Sequence, residues 1–259
     1  MATEKLPEFF YEIFDPSLPR LGPGDDASTT RALNALLAAT PRREGAAGPI
    51  RILDVGCGNG AQTLCLAQRA DVSILAVDNH QPFLDELHRR AAAAGVSARI
   101  ETALRDMQSL TASDGPFDLV WSEGALFVMG FGEGLAACRD LLPAGGGLAA
   151  SELAWLLPDP PDDCRQFWAE EYPAMTTIAE NLAMIERCGY EVIDHFTQPE
   201  SAWWRPFYHP LEQRCALLRE RYAADGEKLA MIESVQREID VHRRYAGYWG
   251  NVFYVLRRR

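Results

Sequence analysis

The chain has 259 residues, 47% of them hydrophobic, with 25 Lys and Arg against 37 Asp and Glu for a formal net charge of −12. That supplies a sizeable core, while a negative field of this size repels phosphate backbones, so no nucleic-acid partner is expected. No apolar run reaches the roughly 20 residues that span a bilayer, and the opening MATEKLPEFF is too acidic and too short in its apolar stretch for a secretory leader; a cytoplasmic protein without a membrane partner is expected.

In chain order, PEFFYEIFDP, the stiff stretch SLPRLGPGDD and a helix ASTTRALNALLAAT form an N-terminal helical lid over residues 1–45, with Asp25 and Asp26 suited to a helix start. Residues 50–157 then alternate strand and helix patterns. The strands are IRILDV, SILAVD, ARIETA, FDLVWS and GLAASELAWL; the helices are AQTLCLAQRA, QPFLDELHRRAAAA closed by Gly95, and GEGLAACRDLL closed by the PAGGG turn. Such alternation predicts a doubly wound α/β unit with a mostly parallel sheet. Residues 158–259 supply a proline-rich loop, helices near Arg165–Glu171 and over TTIAENLAMIERCGY, a strand EVIDHFTQ, two charged helices between Leu211 and Tyr245, and a last strand NVFYVLRRR. The two charged helices read as an insertion before the last strand, and Arg257–Arg259 as a solvated tail. The six cysteines show no CxxC pair and no nearby His at ligand spacing, so they read as reduced packing residues and no metal site is expected.

The chemistry centres on ILDVGCGNG, where Gly56, Gly58 and Gly60 follow a buried strand and open a helix, with Cys57 and Asn59 between them. Glycine there lets the backbone turn tightly and approach a ligand. The same glycines with Ala61 satisfy the loose dinucleotide pattern, so they do not settle the ligand by themselves. Asp54 helps: a carboxylate at the strand end repels a pyrophosphate but suits the ammonium of a zwitterionic amino-acid tail. Asp78, with Asn79 after it, ends the second strand where a carboxylate can accept ribose hydroxyls. Asp106 and Met107 follow the third strand, a polar and apolar pair suited to an adenine ring.

DVGCGNG, Asp78, Asp106 and the strand FDLVWSEGALFVMG followed by LLPAGGG together resemble the class I S-adenosylmethionine (SAM) dependent methyltransferase family. More narrowly, LPRLGPG and the tetrapeptide Ser122–Glu123–Gly124–Ala125 resemble a group of bacterial small-molecule methyltransferases with an N-terminal LPRxGPG segment. The resemblance implies a seven-stranded Rossmann-like sheet ending in an antiparallel strand, SAM as cofactor with S-adenosylhomocysteine as product, and a small-molecule acceptor. It places the loop glycines and Asp54 at the methionine moiety, Asp78 at the ribose and Asp106 with Met107 near adenine. SEGA stands where amino-methylating enzymes of nucleic acid and protein carry NPPY or DPPY, which weakens those assignments.

Methyl transfer from a sulfonium is a direct displacement, so alignment and water exclusion matter most and a base is optional. Glu123, at the carboxyl end of the fourth strand, is the first candidate base, against a loop or capping role. His209, in the aromatic run SAWWRPFYHP, is a second, against packing of the insertion. Tyr11 is a third, lining the pocket from the lid, and Arg20 is a candidate partner for a carboxylate of SAM or acceptor; lid packing and a solvated Arg are the plainer alternatives. Trp155, Trp168 and Tyr172 are core residues by default and acceptor-lining as a weaker option. A non-catalytic SAM-binding regulator and a dinucleotide-dependent oxidoreductase are the rival functions. The sequence is compatible with a homodimer and does not specify one.

Overall fold

The computed structural model describes residues 7–40 and 48–259, so the ends of the expected lid, 1–6 and 41–45, lie outside the described residues. Eight strands form one sheet: β1 Ile50–Val55, β2 Val72–Asp78, β3 Ile100–Leu104, β4 Leu119–Glu123, β5 Gly147–Trp155, β6 Thr176–Thr177, β7 Tyr190–Thr197 and β8 Trp249–Arg258. Their order is β3-β2-β1-β4-β5-β8-β7, with β6 beside the end of β5. β1 to β5 are mutually parallel, whereas β8 runs antiparallel to both β5 and β7. The expected seven strands therefore form the main path, and the eighth is the two-residue β6, too short to leave a pattern.

Ten α-helices accompany the strands among the described residues: α1 Glu8–Ile13, α2 Asp26–Ala39, α3 Ala61–Arg69, α4 Gln81–Ala93, α5 Phe131–Asp140, α6 Asp162–Glu171, α7 Ile178–Arg187, α8 Ser201–Trp203, α9 His209–Arg221 and α10 Gly226–Tyr245. Local chemistry sets their ends. Asp25 accepts the Ser28 amide at 2.7 Å to start α2, Thr177 and Glu180 form a capping box on α7, and Gly95 takes φ +70° just beyond α4.

Side-chain alternation divides the core across the sheet. Ile52, Ile74, Leu119 and Trp121 face α2, α3 and α4, whereas Leu53, Val55, Val120 and Leu148 face α5 and α7. A third cluster caps the carboxyl end of β5 with α1, α6 and α8–α10. It holds Phe9, Trp168, Trp203, Phe207 and Trp249, so the aromatic run of the insertion is mostly interior. Between α8 and α9, Trp204–Tyr208 forms a π-helical turn. Pro206 has no N–H to offer the Ala202 carbonyl four residues earlier, and that carbonyl accepts the Gly24 amide of the N-terminal segment at 3.1 Å.

Arg257 and Arg258 belong to β8 instead of a free tail. Arg257 pairs with Glu191 at 2.6 Å, and Arg258 donates to the carbonyls of Arg139 and Leu142 at the end of α5.

Candidate active site

The parallel strands β1, β2, β4 and β5 deliver their carboxyl ends to one edge, the side where open α/β sheets bind ligands. Gly56, Gly58 and Gly60 between β1 and α3 all have positive φ, +70°, +53° and +82°. Each also lies against a neighbour that a side chain would strike. A Cβ on Gly56 would sit 2.4 Å from the Ala125 Cβ and 3.3 Å from the Met107 Cε; one on Gly58 would sit 3.0 Å from Leu21; one on Gly60 would sit 2.2 Å from Leu87 of α4. Gly60 thus serves helix packing, and the other two bring backbone close to the crevice.

Asp78 closes the loop from β2. Its carboxylate accepts the Gly58 amide at 2.9 Å and the His80 amide at 3.0 Å, with the exposed Asn79 contributing its backbone N–H. Burial nevertheless raises its pKa against those three donors. Asp54 is wholly enclosed, accepting Thr63 Oγ1 at 2.6 Å and Gln62 Nε2 at 3.4 Å. Burial, with smaller contributions from Glu123 and Asp78, lifts it to about 7. Asp54 therefore presents its field to the loop and no free oxygen. Cys57, 1% exposed, has its thiol pushed well up by burial and is held as a packing group.

Several candidates stand elsewhere than the sequence reading placed them. Glu123 is not an unengaged base. Its Oε1 accepts Thr29 Oγ1 at 2.7 Å and Trp121 Nε1 at 2.9 Å, and its Oε2 accepts Arg20 Nη1 at 3.1 Å. Arg20 is likewise committed, bridging Glu123 and Asp26 with its side chain 8% exposed. LPRLGPG and SEGA are thus the two halves of one contact. Gly24 lies against it, where a Cβ would stand 2.8 Å from Arg20 Nη1 and 3.2 Å from Glu123 Oε2.

Asn59, 2% exposed, turns to the N-terminal segment, donating to the carbonyls of Pro16 at 3.1 Å and Leu18 at 2.6 Å. Arg90 of α4 donates to the carbonyls of Pro16, Leu18 and Pro19. The segment from Pro16 to Gly24 consequently lies across the glycine loop. Ser122 is buried and donates to the Val55 carbonyl at 3.0 Å.

Tyr11 stacks on His80, ring centres 3.6 Å apart, and feels the Asp78 charge; burial and that charge raise its pKa. This puts it on the β2 side, beside Asp78. His209 is exposed at the start of α9, its ring 5.3 Å from that of Trp204. Asp106 accepts the Gln108 amide at 2.9 Å, and Met107 extends over Gly56.

Two titratable residues escaped the sequence reading. Glu152 of β5 is 3% exposed; burial raises it to about 7 against a hydrogen bond from Tyr172. It lies one residue past Ser151, the register partner of Glu123, so it too sits at the carboxyl edge of the sheet. Tyr172 stands edge-on to Phe127, ring centres 5.9 Å apart, and Phe127 is 49% exposed. The signal was the pair Ser151–Glu152 inside an otherwise apolar strand: alternation must turn one of two adjacent polar residues into each face. His242 of α10, 1% exposed, follows Ile232, Val235 and Ile239 at helical spacing and so belongs to that helix's buried stripe.

Among the described residues no cluster of ligand side chains fits a metal ion, and no helix is long and apolar enough to cross a membrane.

Comparison with known proteins agrees with this architecture. Residues 52–146 match the family described as Methyltransferase domain. The chain is 28% identical over 231 residues, 84% of its own length and 78% of the relative's, to 27-O-demethylrifamycin SV methyltransferase of Amycolatopsis mediterranei. Its fold superposes on a SAM-dependent methyltransferase from Geobacter sulfurreducens, solved with S-adenosyl-L-homocysteine, with TM-score 0.81, 21% identity and coverage of 98% and 99% of the two chains. It also superposes on the [4+2]-cyclase SpnF, with TM-score 0.72, 19% identity and coverage of 96% and 93%.

Proposed function

We propose that this chain, whose residues 52–146 match the Methyltransferase domain family and whose fold is that of a SAM-dependent methyltransferase, moves the methyl group of S-adenosylmethionine onto a hydroxyl of a small-molecule acceptor by direct displacement. The observation that carries the reading is the left-handed glycine loop closed by Asp78 and backed by the buried Asp54. Two carboxylates behind a loop of amides suit a ligand with a sulfonium, an ammonium and a ribose, and oppose the pyrophosphate of a dinucleotide.

In this reading the loop Gly56–Gly60 and Asp54 border the methionine end, Asp78 takes the ribose, and Asp106 with Met107 flanks the adenine. SAM supplies the activated methyl and its sulfonium leaving group. The chain supplies position and dryness: Leu21 over Gly58 and the Pro16–Gly24 segment over the loop keep water from the reacting atoms. As the acceptor oxygen bonds to the methyl carbon and the carbon–sulfur bond breaks, the hydroxyl proton must leave. Glu152, buried and near 7 beside the Tyr172 hydroxyl, suits that role better than the fully engaged Glu123. A hydroxyl acceptor also agrees with the name of the rifamycin-acting relative.

The likeness to a [4+2]-cyclase shows the same fold outside methyl transfer, and the second reading is that the chain binds the adenosyl ligand without transferring its methyl group. Calorimetry with S-adenosylhomocysteine and NADH, followed by labelled-methyl transfer to a panel of hydroxylated small molecules, tests both. We expect S-adenosylhomocysteine to bind and NADH not to. Asp78→Ala and Gly56→Ala should each weaken binding at least tenfold, the latter because its methyl would overlap Ala125. Glu152→Gln should keep binding and lose turnover. Binding without transfer to any acceptor would favour the second reading; binding of NADH alone would overturn both.

A further inference from the structure

The strap from Pro16 to Gly24 forms neither helix nor strand, so its carbonyls have no backbone ladder of their own to join. Two side chains supply donors instead. Asn59 spends both hydrogens of its amide on the strap, one on the Pro16 carbonyl at 3.1 Å and one on the Leu18 carbonyl at 2.6 Å. Arg90 of α4 bonds the same two carbonyls through Nη2, at 3.1 and 2.7 Å, and the Pro19 carbonyl through Nη1 at 3.1 Å. Its Nε–H is held by Glu86 Oε1 at 2.7 Å, one turn back on the helix, which fixes the plane of the guanidinium. The Pro16 and Leu18 carbonyls thus each accept two donors, one from the glycine loop and one from α4.

This double grip follows from how loop and helix meet. Gly60, next to Asn59, lets Leu87 of α4 come close, and Leu87 and Arg90 share one face of that helix at i and i+3. The helix therefore delivers Arg90 to the carbonyls that Asn59 already holds. On the other side of Asn59, Leu21 of the strap lies over Gly58, whose amide Asp78 accepts at 2.9 Å. The strap is consequently fastened to the loop that approaches the crevice, by bonds that run from one part of the chain to another. Its ends are anchored separately: Ile13 is buried in the third core before it, and Asp25 caps α2 after it. Lifting the strap breaks the bonds to Asn59 and Arg90 and leaves both anchors in place.

Resting on the reading that the crevice takes S-adenosylmethionine, we infer that Asn59 and Arg90 are positioning residues that hold the strap down as a gate on exchange of the adenosyl ligand. S-adenosylmethionine enters and S-adenosylhomocysteine leaves when the Pro16 and Leu18 carbonyls let go of the loop and of α4. Bonds within the chain favour neither the bound nor the free form, so such a gate sets both rates and not their ratio. The test is the release rate of tritiated S-adenosylhomocysteine from the full chain into excess unlabelled ligand. Calorimetry gives Kd, and the entry rate follows as release rate over Kd.

Arg90→Met should release the ligand about tenfold faster, the order expected for losing one charged hydrogen bond, admit it faster by a similar factor, and leave Kd within about twofold. Arg90→Lys keeps the charge without the fork and should fall between the two. Glu86→Gln touches Arg90 and not the strap, so it should speed release to a smaller degree; these two milder variants carry the test if Arg90→Met fails to fold by circular dichroism. Unchanged rates overturn the inference. So does faster release with Kd weakened in proportion, because the strap would then add affinity and gate nothing. Failure of the unmodified chain to bind S-adenosylhomocysteine would instead remove the functional reading, and this inference with it.

Discussion

Glu152 and Glu123 sit one register step apart on neighbouring strands and have opposite surroundings. Glu123 has three donors, one of them cationic; Glu152 has a tyrosine hydroxyl and the backbone N–H of Leu153, neither of them charged. Burial without a cation makes the ionised form of Glu152 costly, and the sign of its effect on stability follows. Its folded pKa, about 7, stands above the ordinary 4.5, so between those values the native state holds the proton more tightly than the unfolded chain. Stability then falls as pH rises through that window, by an amount of the order of 3 kcal/mol at 1.36 kcal/mol per unit. Glu152→Gln should lose this share of the slope, Asp54 keeping its own, and be the more stable protein at pH 8, as read by urea midpoints at pH 5 and pH 8. The glycine loop, Asp54 and Asp78 were legible because glycine spacing and a carboxylate at a strand end are local signals. Glu152 and His242 were harder to see, since their burial comes from which neighbours the fold sets against them.

At the scale of elements, the N-terminal segment is fixed by several independent ties. Arg20 reaches Glu123, Asn59 and Arg90 hold its carbonyls, the Gly24 amide docks on the carbonyl that Pro206 leaves over, and Arg214 of α9 bonds Glu12 and Asp15. The sequence showed LPRLGPG and SEGA as separate motifs 100 residues apart; nothing local indicated that they meet. Of the ion pairs among these ties Arg20–Glu123 is the more buried, with side chains 8% and 4% exposed. Removing one member of such a pair typically costs about 3–5 kcal/mol because the other charge is stranded, whereas removing both costs far less. Arg20→Met should therefore lower the melting temperature and speed protease cleavage within residues 16–24. The double variant Arg20→Met with Glu123→Gln should recover most of the stability. Equal loss in single and double variants would mean that the guanidinium matters for its packing and not for its charge.

For the whole molecule, strand and helix periodicity was enough to predict the doubly wound sheet and the helical insertion before the last strand, whereas the antiparallel sense of that strand was what the family resemblance implied. What periodicity could not give is the placement of that insertion, whose aromatic residues form a third core over the end of β5 and not a wall of exposed rings. The sheet order also makes a prediction. β8 is bonded along nine residue pairs to β5 and along β7 on its other side, so it is a central strand. A chain ending at Tyr248 should lose the cooperative unfolding transition and bind an apolar dye, since β7 would have no neighbour in the sheet.

The place of β8 also has a consequence for how the protein is made. The ribosome produces β5 and β7 before β8, and the two are not neighbours without it. Until residues 249–258 emerge, each presents an open backbone edge, the feature that invites pairing with another chain. Throughout that interval the nascent polypeptide carries a vacant slot in its sheet, one strand wide. Slow translation of the long helix α10 would lengthen its exposure, and a chaperone that shields strand edges would serve this protein most just before its last ten strand residues leave the exit tunnel.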